Sequence, residues 1–180
     1  VHTQADFDNV VAEYVEPIKT TFRGYDIWEC PPNGQGIIAL MLLNIALNID
    51  KFGDHPLSLE RIHHEIEAGK LAYRDRGLYV GDTAFNEVPM EAMLSQEHAE
   101  ATRALIDPDR ALSELPACPL PAHKSTVYIT VIDKDRNACS FINSVFHNFG
   151  SGILAPKSGV NLQNRGEGFV VKPGHPNCVE

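Results

Sequence analysis

The chain has 180 residues, a length that suits one domain or one large part of a bigger protein. Its 15 Lys and Arg residues and 24 Asp and Glu residues give a formal net charge of −9, which argues against a protein that binds the phosphate backbone of nucleic acids. Apolar residues make up 43% of the chain, yet the longest apolar run, Ile37 to Leu43, is far shorter than the roughly 20 residues that cross a bilayer. We therefore expect no nucleic-acid partner and no contact with a membrane.

The cysteines are few and far apart: Cys30, Cys118, Cys139 and Cys178. This spacing matches neither a CxxC metal site nor a dense disulfide framework, so we expect isolated thiols in a reducing compartment. The cytoplasm is therefore favoured, with the periplasm and secretion left open. Because the chain begins at Val1 and stops at Glu180 without a terminal signal, we interpret it as a piece of a longer protein.

The N-terminal stretch predicts one helix and one strand. The helix is expected from Ala5 to Tyr14, with Thr3 as its N-cap. Pro17 and Gly24 then punctuate the chain before Tyr25 to Glu29, where the side chains alternate as they do in a strand.

A loop and a buried helix follow. Pro31 to Gly36 is a loop by composition, and the nearly continuous apolar run from Ile37 to Ile49 predicts a helix that is buried on most sides. Gly34 and Gly36 could form an anion-binding nest in front of that helix. The same two glycines are also typical of an ordinary turn, and we prefer this interpretation.

A clear helical pattern begins after Ser58, a suitable N-cap. Apolar residues then recur at spacings of three, four and seven, at Leu59, Ile62, Ile66 and Tyr73.

The same helix carries two adjacent histidines, His63 and His64, which raise the alternative of a zinc site. A zinc-protease helix needs a second histidine four residues after the first, so that both imidazoles lie on one face. Glu67 and Ala68 occupy those positions. We therefore expect ordinary solvent-facing histidines and no metal.

A further helix is predicted from Pro89 to Ile106, and its apolar side comprises Met90, Met93, Leu94, Ala101 and Leu105. The stretch from Leu115 to Pro121 contains three prolines. Because proline excludes both helix and central strand, this stretch predicts an exposed connector.

After the connector, the pattern changes to that of a β-hairpin. Residues alternate between two faces from Thr126 to Asp133, and a second strand is expected from Ala138 to Phe146. If the turn is centred on Asp135, the numbers of paired residues add up to 270. This register places Thr126 directly opposite Ser144.

A threonine at the start of a strand can act as a nucleophile if a nearby base takes its proton. Cleavage of the bond between Ser125 and Thr126 would free an α-amine, and amines of this kind have an ordinary pKa of about 7.7 to 8.0, which suits that role. Ser144 would orient the amine or the hydroxyl by hydrogen bonding. The alternative is a pair of ordinary β-strand hydroxyls, which are common in sheets.

Two groups of motifs carry a family resemblance. Thr126 to Asn137, continued by Phe149 to Ile153, resembles the start of the small subunit of γ-glutamyltranspeptidases. Upstream motifs resemble the latter half of that family's large subunit: Glu16-Pro17-Ile18, Arg23-Gly24-Tyr25, Pro31 to Gly36, Leu43-Asn44-Ile45, Gly81-Asp82, Phe85 and Val88-Pro89. The match runs in order over essentially the whole chain.

The resemblance implies an α+β chain that forms part of an αββα sandwich of the N-terminal-nucleophile hydrolase class. It also implies a precursor that cuts itself and then hydrolyses or transfers γ-glutamyl amides such as glutathione, without a metal or organic cofactor. Thr126 takes the position of the nucleophile and new N-terminus, and Ser144 that of a second threonine near it. The implied partners are a small-molecule amide substrate and paired large and small subunits, with a homo-oligomer left open.

The chain departs from the family where the family binds its substrate. Phe146, Arg165 and Gly168 stand where the family has the Asn, Gln and Asp that hold the α-amino and carboxylate region of the glutamyl group. The carboxylate missing at Gly168 is the natural partner of an ammonium group. We therefore expect amide cleavage through an acyl-threonine, with acyl groups other than γ-glutamyl as substrates.

The resemblance also divides the chain. Residues 1–125 are expected to be a mostly helical end of the large-subunit region, and residues 126–180 a β-rich start of the small-subunit region. The stretch alone should be inactive, because the family keeps an arginine for the substrate carboxylate before Val1 and its oxyanion-hole glycines after Glu180. The alternative function is that of a non-catalytic family member or fragment, which never matures and has a structural or binding role.

Overall fold

The structure is a computed structural model that describes residues 3–47, 55–113 and 126–179. The chain divides into two units, residues 1–117 and 118–180. The whole of the expected proline-rich connector, which includes Cys118, lies outside the described residues, as does Ser125. The boundary expected between residues 125 and 126 therefore stays a prediction.

The first unit begins with the short helix α1, Gln4–Asp8. Thr3 is its N-cap, as predicted, and the Asp6 carboxylate accepts hydrogen bonds from the backbone N–H and the hydroxyl of Thr3. The predicted extension of this helix to Tyr14 is wrong. The β-branched Val10 that follows is exposed, and a short helix without a buried side lacks the packing that would lengthen it.

An antiparallel hairpin comes next, formed by β1, Ile18–Phe22, and β2, Tyr25–Glu29. Its turn consists of Arg23 and Gly24, whose φ angles of 52° and 84° lie in the left-handed region that two-residue hairpin turns require. The strand predicted at β2 is confirmed. The sequence analysis missed β1, because its interior Lys and Thr residues hide the alternation of partly buried and exposed positions.

Helix α2, Gly36–Ile45, supplies the centre of the core in the first unit. Its buried side chains are Ile37, Ile38, Leu40, Met41 and Ile45. The helix predicted from the apolar run is thus confirmed, although it ends at Ile45, and the end of the predicted range lies outside the described residues.

The entrance to α2 is closed by a side chain. A Cβ added to Gly36 would lie 2.6 Å from a carboxylate oxygen of Glu29, so Glu29 already packs against the first turn of this helix. Gly36 is itself the first residue of α2, and the Glu29 carboxylate occupies the space beside it.

Helix α3, Leu59–Tyr79, begins where the sequence predicts, and the backbone N–H of Arg61 donates a hydrogen bond to Ser58 Oγ. The apolar residues whose spacing predicts this helix all lie on its exposed side: Leu59, Ile62, Ile66 and Tyr73. Its buried side carries small, apolar and polar residues: His64, Glu67, Ala68, Leu71, Ala72 and Asp75. The helix therefore turns much of its polar sequence toward the protein.

The expectation that both histidines of α3 face solvent is wrong. His64 is only 8% exposed, and burial, followed by the nearby charge of Arg103, lowers the pKa of its imidazole. His63 Nε2 lies 2.8 Å from the carbonyl oxygen of Asp107 and so ties α3 to a later segment of the unit. Within the described ranges, no group of three or more His, Cys, Asp or Glu side chains is placed to hold a metal ion.

The helix predicted over residues 89–106 is broken into α4, Met90–Leu94, and α5, Gln96–Arg103. The break lies at Ser95, whose backbone is extended. Ser95 Oγ donates to the carbonyl oxygen of Ala92 at 2.8 Å and accepts from the backbone N–H of His98 at 3.1 Å. The same serine therefore ends one helix and caps the next.

The break also changes which residues of α5 are buried. Ala99 and Thr102 are buried, whereas Ala101 and Leu105, which were predicted on the apolar side, are exposed. Met93 of α4 is buried as predicted. The error follows from treating the two helices as one, because a break resets the periodicity.

Polar contacts join the elements around α2. Asn44 accepts a hydrogen bond from the Thr20 hydroxyl and donates one to the carbonyl oxygen of Leu94, linking β1, α2 and α4. At the end of α5, the guanidinium of Arg103 donates to the carbonyl oxygens of Asn44 and Ile45, each at 2.6 Å. Arg103 thus satisfies carbonyl groups that the C-terminus of α2 leaves without helical partners.

The second unit contains an antiparallel hairpin of β3, Val127–Ile132, and β4, Ala138–Asn143. Val127 pairs with Asn143, which confirms the register predicted from the turn. The strand β4 ends before the predicted Phe146. After the hairpin, the chain forms mostly turns, with a 3₁₀ helix at Arg165–Gly168.

The hairpin turn is held by one carboxylate. Asp133 Oδ1 accepts the backbone N–H groups of Asp135 and Asn137, each at 2.9 Å, and the side-chain and backbone hydrogen bonds of Asn137 lower the pKa of Asp133. Arg136 has a φ of 66°, which lies in the left-handed region that favours glycine.

Among the described residues, none of the helices is both long and apolar enough to cross a membrane. Cys30, Cys139 and Cys178 are free thiols, as their spacing predicts.

Candidate active site

The hairpin of the second unit brings two hydroxyl groups together at its open end. Because Val127 pairs with Asn143, the next pair outward is Thr126 and Ser144. Thr126 Oγ1 and Ser144 Oγ lie 3.2 Å apart, within hydrogen-bond distance. The proximity predicted from the sequence is therefore present in the structure.

Two N–H donors also reach Ser144. Its Oγ accepts the backbone N–H of Phe146 at 3.1 Å, a local turn that fixes the serine rotamer. Arg165 Nη2 lies 3.4 Å from the same Oγ and 3.5 Å from the Ser144 carbonyl oxygen. Arg165 thus joins the hydroxyl pair from a segment 21 residues further along the chain.

The backbone of Phe146 is strained. Its φ of 76° is in the left-handed region, which is rare for a bulky side chain and costs on the order of 1 kcal/mol. In this conformation the Phe146 ring lies beneath the guanidinium of Arg165, with 5.4 Å between the guanidinium carbon and the ring centroid. Phe146 and Arg165 form one wall beside the two hydroxyls.

Gly168 is in the same 3₁₀ helix as Arg165, but it brings no side chain and a Cβ there would meet open space. The neighbouring Glu167 supplies a carboxylate that the sequence analysis missed. Its Oε2 lies 3.2 Å from His147 Nε2 and accepts a hydrogen bond from Asn164 Nδ2 at 3.3 Å. The position of Glu167 next to Gly168 in the sequence could have indicated this carboxylate.

A second pair of hydroxyls, also missed by the sequence analysis, extends this face of the hairpin. Tyr128 and Ser140 have their hydroxyl oxygens 2.6 Å apart, and hydrogen bonds with Ser140 and Thr130 lower the pKa of the Tyr128 phenol. The alternation of residues 126, 128 and 130 could have indicated this polar face.

A His–Asp pair in the first unit, formed by the partly exposed His98 and the buried Asp75, has a different character. His98 Nε2 lies 2.8 Å from Asp75 Oδ2 and 3.4 Å from the hydroxyl of Thr102. A nucleophile relay needs the carboxylate and the hydroxyl on opposite ring nitrogens, whereas here both are on Nε2. These residues therefore link α3 to α5 and do not form a second catalytic site.

Comparison with known proteins places these observations in a family. The family model described as Gamma-glutamyltranspeptidase matches residues 1–180. The chain belongs to this family. The relatives in the comparison are named as glutathione hydrolase, acylase and oxamate amidohydrolase proenzymes, which confirms the resemblance drawn from the sequence motifs.

The curated relatives are proenzymes. The glutathione hydrolase-like YwrD proenzyme of Bacillus subtilis is 36% identical over 175 residues, which cover 97% of this chain and 33% of the relative. The glutathione hydrolase proenzyme of Escherichia coli is 36% identical over 168 residues, covering 89% of this chain and 29% of the relative. The chain spans about a third of the length of the curated relatives that it matches.

A solved structure shows the same fold. The cephalosporin acylase from Bacillus halodurans is 39% identical, with a TM-score of 0.83 over 99% of this chain and 32% of that chain. The γ-glutamyltranspeptidase of Helicobacter pylori is 27% identical, with a TM-score of 0.56 over 61% of this chain and 32% of that chain. The chain is an α+β part of the N-terminal-nucleophile hydrolase fold, as predicted.

Proposed function

We propose that the protein in which this chain lies is an amide hydrolase or acyltransferase that cuts itself before Thr126 and uses Thr126 as its nucleophile. The observation that carries this proposal is the 3.2 Å approach of Thr126 Oγ1 to Ser144 Oγ at the head of β3. The proenzyme names of the relatives support processing, and their hydrolase, acylase and amidohydrolase names support amide chemistry.

The reaction has two stages. The freed α-amine of Thr126 accepts the hydroxyl proton while Oγ1 attacks the amide carbonyl, and the tetrahedral intermediate collapses as the C–N bond breaks. The proton passes to the leaving amine, and the acyl group remains on Thr126 as an ester. Water, or an acceptor amine, then attacks the ester carbonyl, releases the acyl group and returns the proton to Thr126.

Self-cleavage is tested on the complete protein by N-terminal sequencing and intact mass. We expect a new N-terminus at Thr126, so that residues 126–180 begin the second subunit. A Thr126→Ala variant should stay whole, whereas Thr130→Ala, which removes a hydroxyl from the same face of β3, should still be cut. Cleavage of Thr126→Ala at the same bond would reject Thr126 as the internal nucleophile. A wild-type protein that stays whole would favour the non-catalytic alternative.

We further propose that the acyl group carries a carboxylate and lacks an α-ammonium. Arg165 lies beside the hydroxyl pair and can bind a carboxylate through two hydrogen bonds. Gly168 offers no carboxylate to an ammonium group, and the Glu167 carboxylate lies 3.2 Å from His147 Nε2 and accepts a hydrogen bond from Asn164. This arrangement favours a glutaryl amide over a γ-glutamyl amide.

The preference is measured as kcat/KM for glutaryl and γ-glutamyl anilides that share one leaving group. We expect glutaryl anilide to be the better substrate by at least about tenfold, because an unpaired ammonium near a guanidinium costs more than 1.4 kcal/mol. Efficient turnover of the γ-glutamyl anilide, unmatched by the glutaryl one, would reject this preference without affecting the role of Thr126.

A further inference from the structure

Ser144 Oγ is surrounded by more hydrogen-bond donors than it has lone pairs. The backbone N–H of Phe146 at 3.1 Å, Arg165 Nη2 at 3.4 Å and Thr126 Oγ1 at 3.2 Å all approach it. A hydroxyl oxygen accepts two hydrogen bonds and donates one. Arg165 Nη2 also lies 3.5 Å from the Ser144 carbonyl oxygen, so the guanidinium contacts both oxygens of this residue.

The hydrogen bond between the two hydroxyls runs from Thr126 Oγ1 to Ser144 Oγ, so Ser144 accepts the proton of the nucleophile. This bond fixes the rotamer of the Thr126 hydroxyl. The donors that hold Ser144 in place therefore act on the nucleophile through it.

We propose that Arg165 is a positioning residue for the nucleophile, which acts through Ser144 and is distinct from any role it has in binding the acyl group. The guanidinium helps to hold Ser144 where it accepts from Thr126, and its charge favours the deprotonated form of the nucleophile and of the freed amine. The inference rests on the proposed function of Thr126. It adds a role for a residue that does not touch the reacting oxygen.

The other charged groups of the second unit do not compensate for Arg165. The Glu167 carboxylate lies 3.2 Å from His147 Nε2. The charged turn residues Asp133, Lys134 and Asp135 lie seven or more residues from Thr126 along the chain, a distance of about 23 Å in a strand. At that distance salt screens their effect at the surface. Tyr128, the titratable residue of β3 that is nearest to Thr126 in the sequence, forms a hydrogen bond with the hydroxyl of Ser140.

The test uses the complete, processed protein and butyryl anilide, whose acyl group has no charge for Arg165 to bind. For Arg165→Gln we expect kcat to fall about tenfold with KM nearly unchanged. The acidic limb of kcat/KM should move up by about 0.5 to 1 pH unit, the shift expected on removing a unit charge about 7 Å away in a medium between protein surface and water. Arg165→Lys should keep much of the pH profile. The matched control Lys134→Gln, which removes a charge at the far end of the hairpin, should change neither.

A double-mutant cycle decides whether the effect passes through Ser144. In a Ser144→Ala background, Arg165→Gln should lower kcat less than twofold. The processed fraction of every variant is measured by mass, and rates refer to processed protein only. An equal loss in both backgrounds, or an unchanged pH profile in Arg165→Gln, would overturn the positioning role and leave the proposed function intact. Failure of the wild type to process or to turn over any acyl anilide would overturn both.

Discussion

Two nearby glycines of the second unit share a left-handed backbone but differ in their surroundings. Gly150 has a φ of 56°, and a Cβ there would lie 2.4 Å from the carbonyl oxygen of Leu162. That oxygen cannot easily move, because it accepts the backbone N–H and the hydroxyl of Ser151. Gly152 has a φ of 72° with nothing within 4 Å.

We therefore expect Gly152→Ala to cost about 1 kcal/mol of unfolding free energy, the cost of a left-handed non-glycine residue. Gly150→Ala should cost about 3 kcal/mol or more, because backbone must shift as well. Denaturant unfolding of the two variants measures the difference. Equal costs would show that the segment at residue 162 adapts freely.

At this scale, the sequence predicts some contacts and cannot predict others. The proximity of Thr126 and Ser144 follows from hairpin register, which a turn of known centre fixes. Arg165 reaches Ser144 through a run of turns, where no periodicity relates residue number to position in space. The wall formed by Arg165 and Phe146 was therefore visible only in the structure.

Among the elements, α3 departs most clearly from its hydrophobic pattern, because polar residues are buried on the side that packs against the unit. Glu67 is 1% exposed, and its carboxylate accepts Lys70 Nζ at 2.7 Å and the backbone N–H of Leu112 at 2.9 Å. Burial alone would raise the pKa of Glu67, but these hydrogen bonds outweigh it and hold the pKa below its ordinary value.

Replacing Glu67 with Gln should cost about 1 to 3 kcal/mol at neutral pH, because a buried donor loses its charged acceptor. Since the folded pKa is depressed, the stabilisation from Glu67 is present above the ordinary pKa of 4.5 and is lost as pH falls through the lower folded value. Unfolding measured from pH 7 to pH 3 should show the variant and the wild type converging at the acid end.

The exposed Glu65, which pairs with Arg61 on the same helix, is the matched control. Glu65→Gln should cost no more than about 0.5 kcal/mol. A loss as large as that of Glu67→Gln would mean that burial is not what makes Glu67 important.

Helix boundaries were harder to predict than helices. Serine is acceptable inside a helix and strong at an N-cap, so Ser95 alone gives no sign that α4 ends and α5 begins there. The position of the break is determined by tertiary packing, which buries Ala99 and Thr102. For the same reason, α1 stops early where nothing covers it.

At the scale of the whole molecule, the hairpin of the second unit is unusually open. Both β3 and β4 are exposed along their entire length, including apolar side chains on both faces such as Val127 and Ile142. A two-stranded ribbon of this kind is marginal in water and offers edges and apolar surface for association.

We expect the 180-residue stretch, prepared alone, to hydrolyse no acyl anilide and to self-associate. It spans about a third of its relatives, and an acyl-threonine reaction needs nucleophile, base and oxyanion donors held together. Incubation with an anilide panel, intact mass over time and light scattering test this. Turnover that Thr126→Ala abolishes, or spontaneous release of residues 126–180, would show that the catalytic unit is smaller.

The polar residues on the buried side of α3 also limit which substitutions this protein can accept during evolution. Glu67 pairs with Lys70, and Asp75 with His98 and Arg74, so a change at one of these partners removes a hydrogen bond from a buried carboxylate. Leu59 and Ile66, on the exposed side, face no such restriction within this unit. Across homologues, the polar residues on the buried side of α3 should therefore be substituted together with their partners. The exposed apolar residues, whose spacing predicts the helix, should be substituted independently of one another.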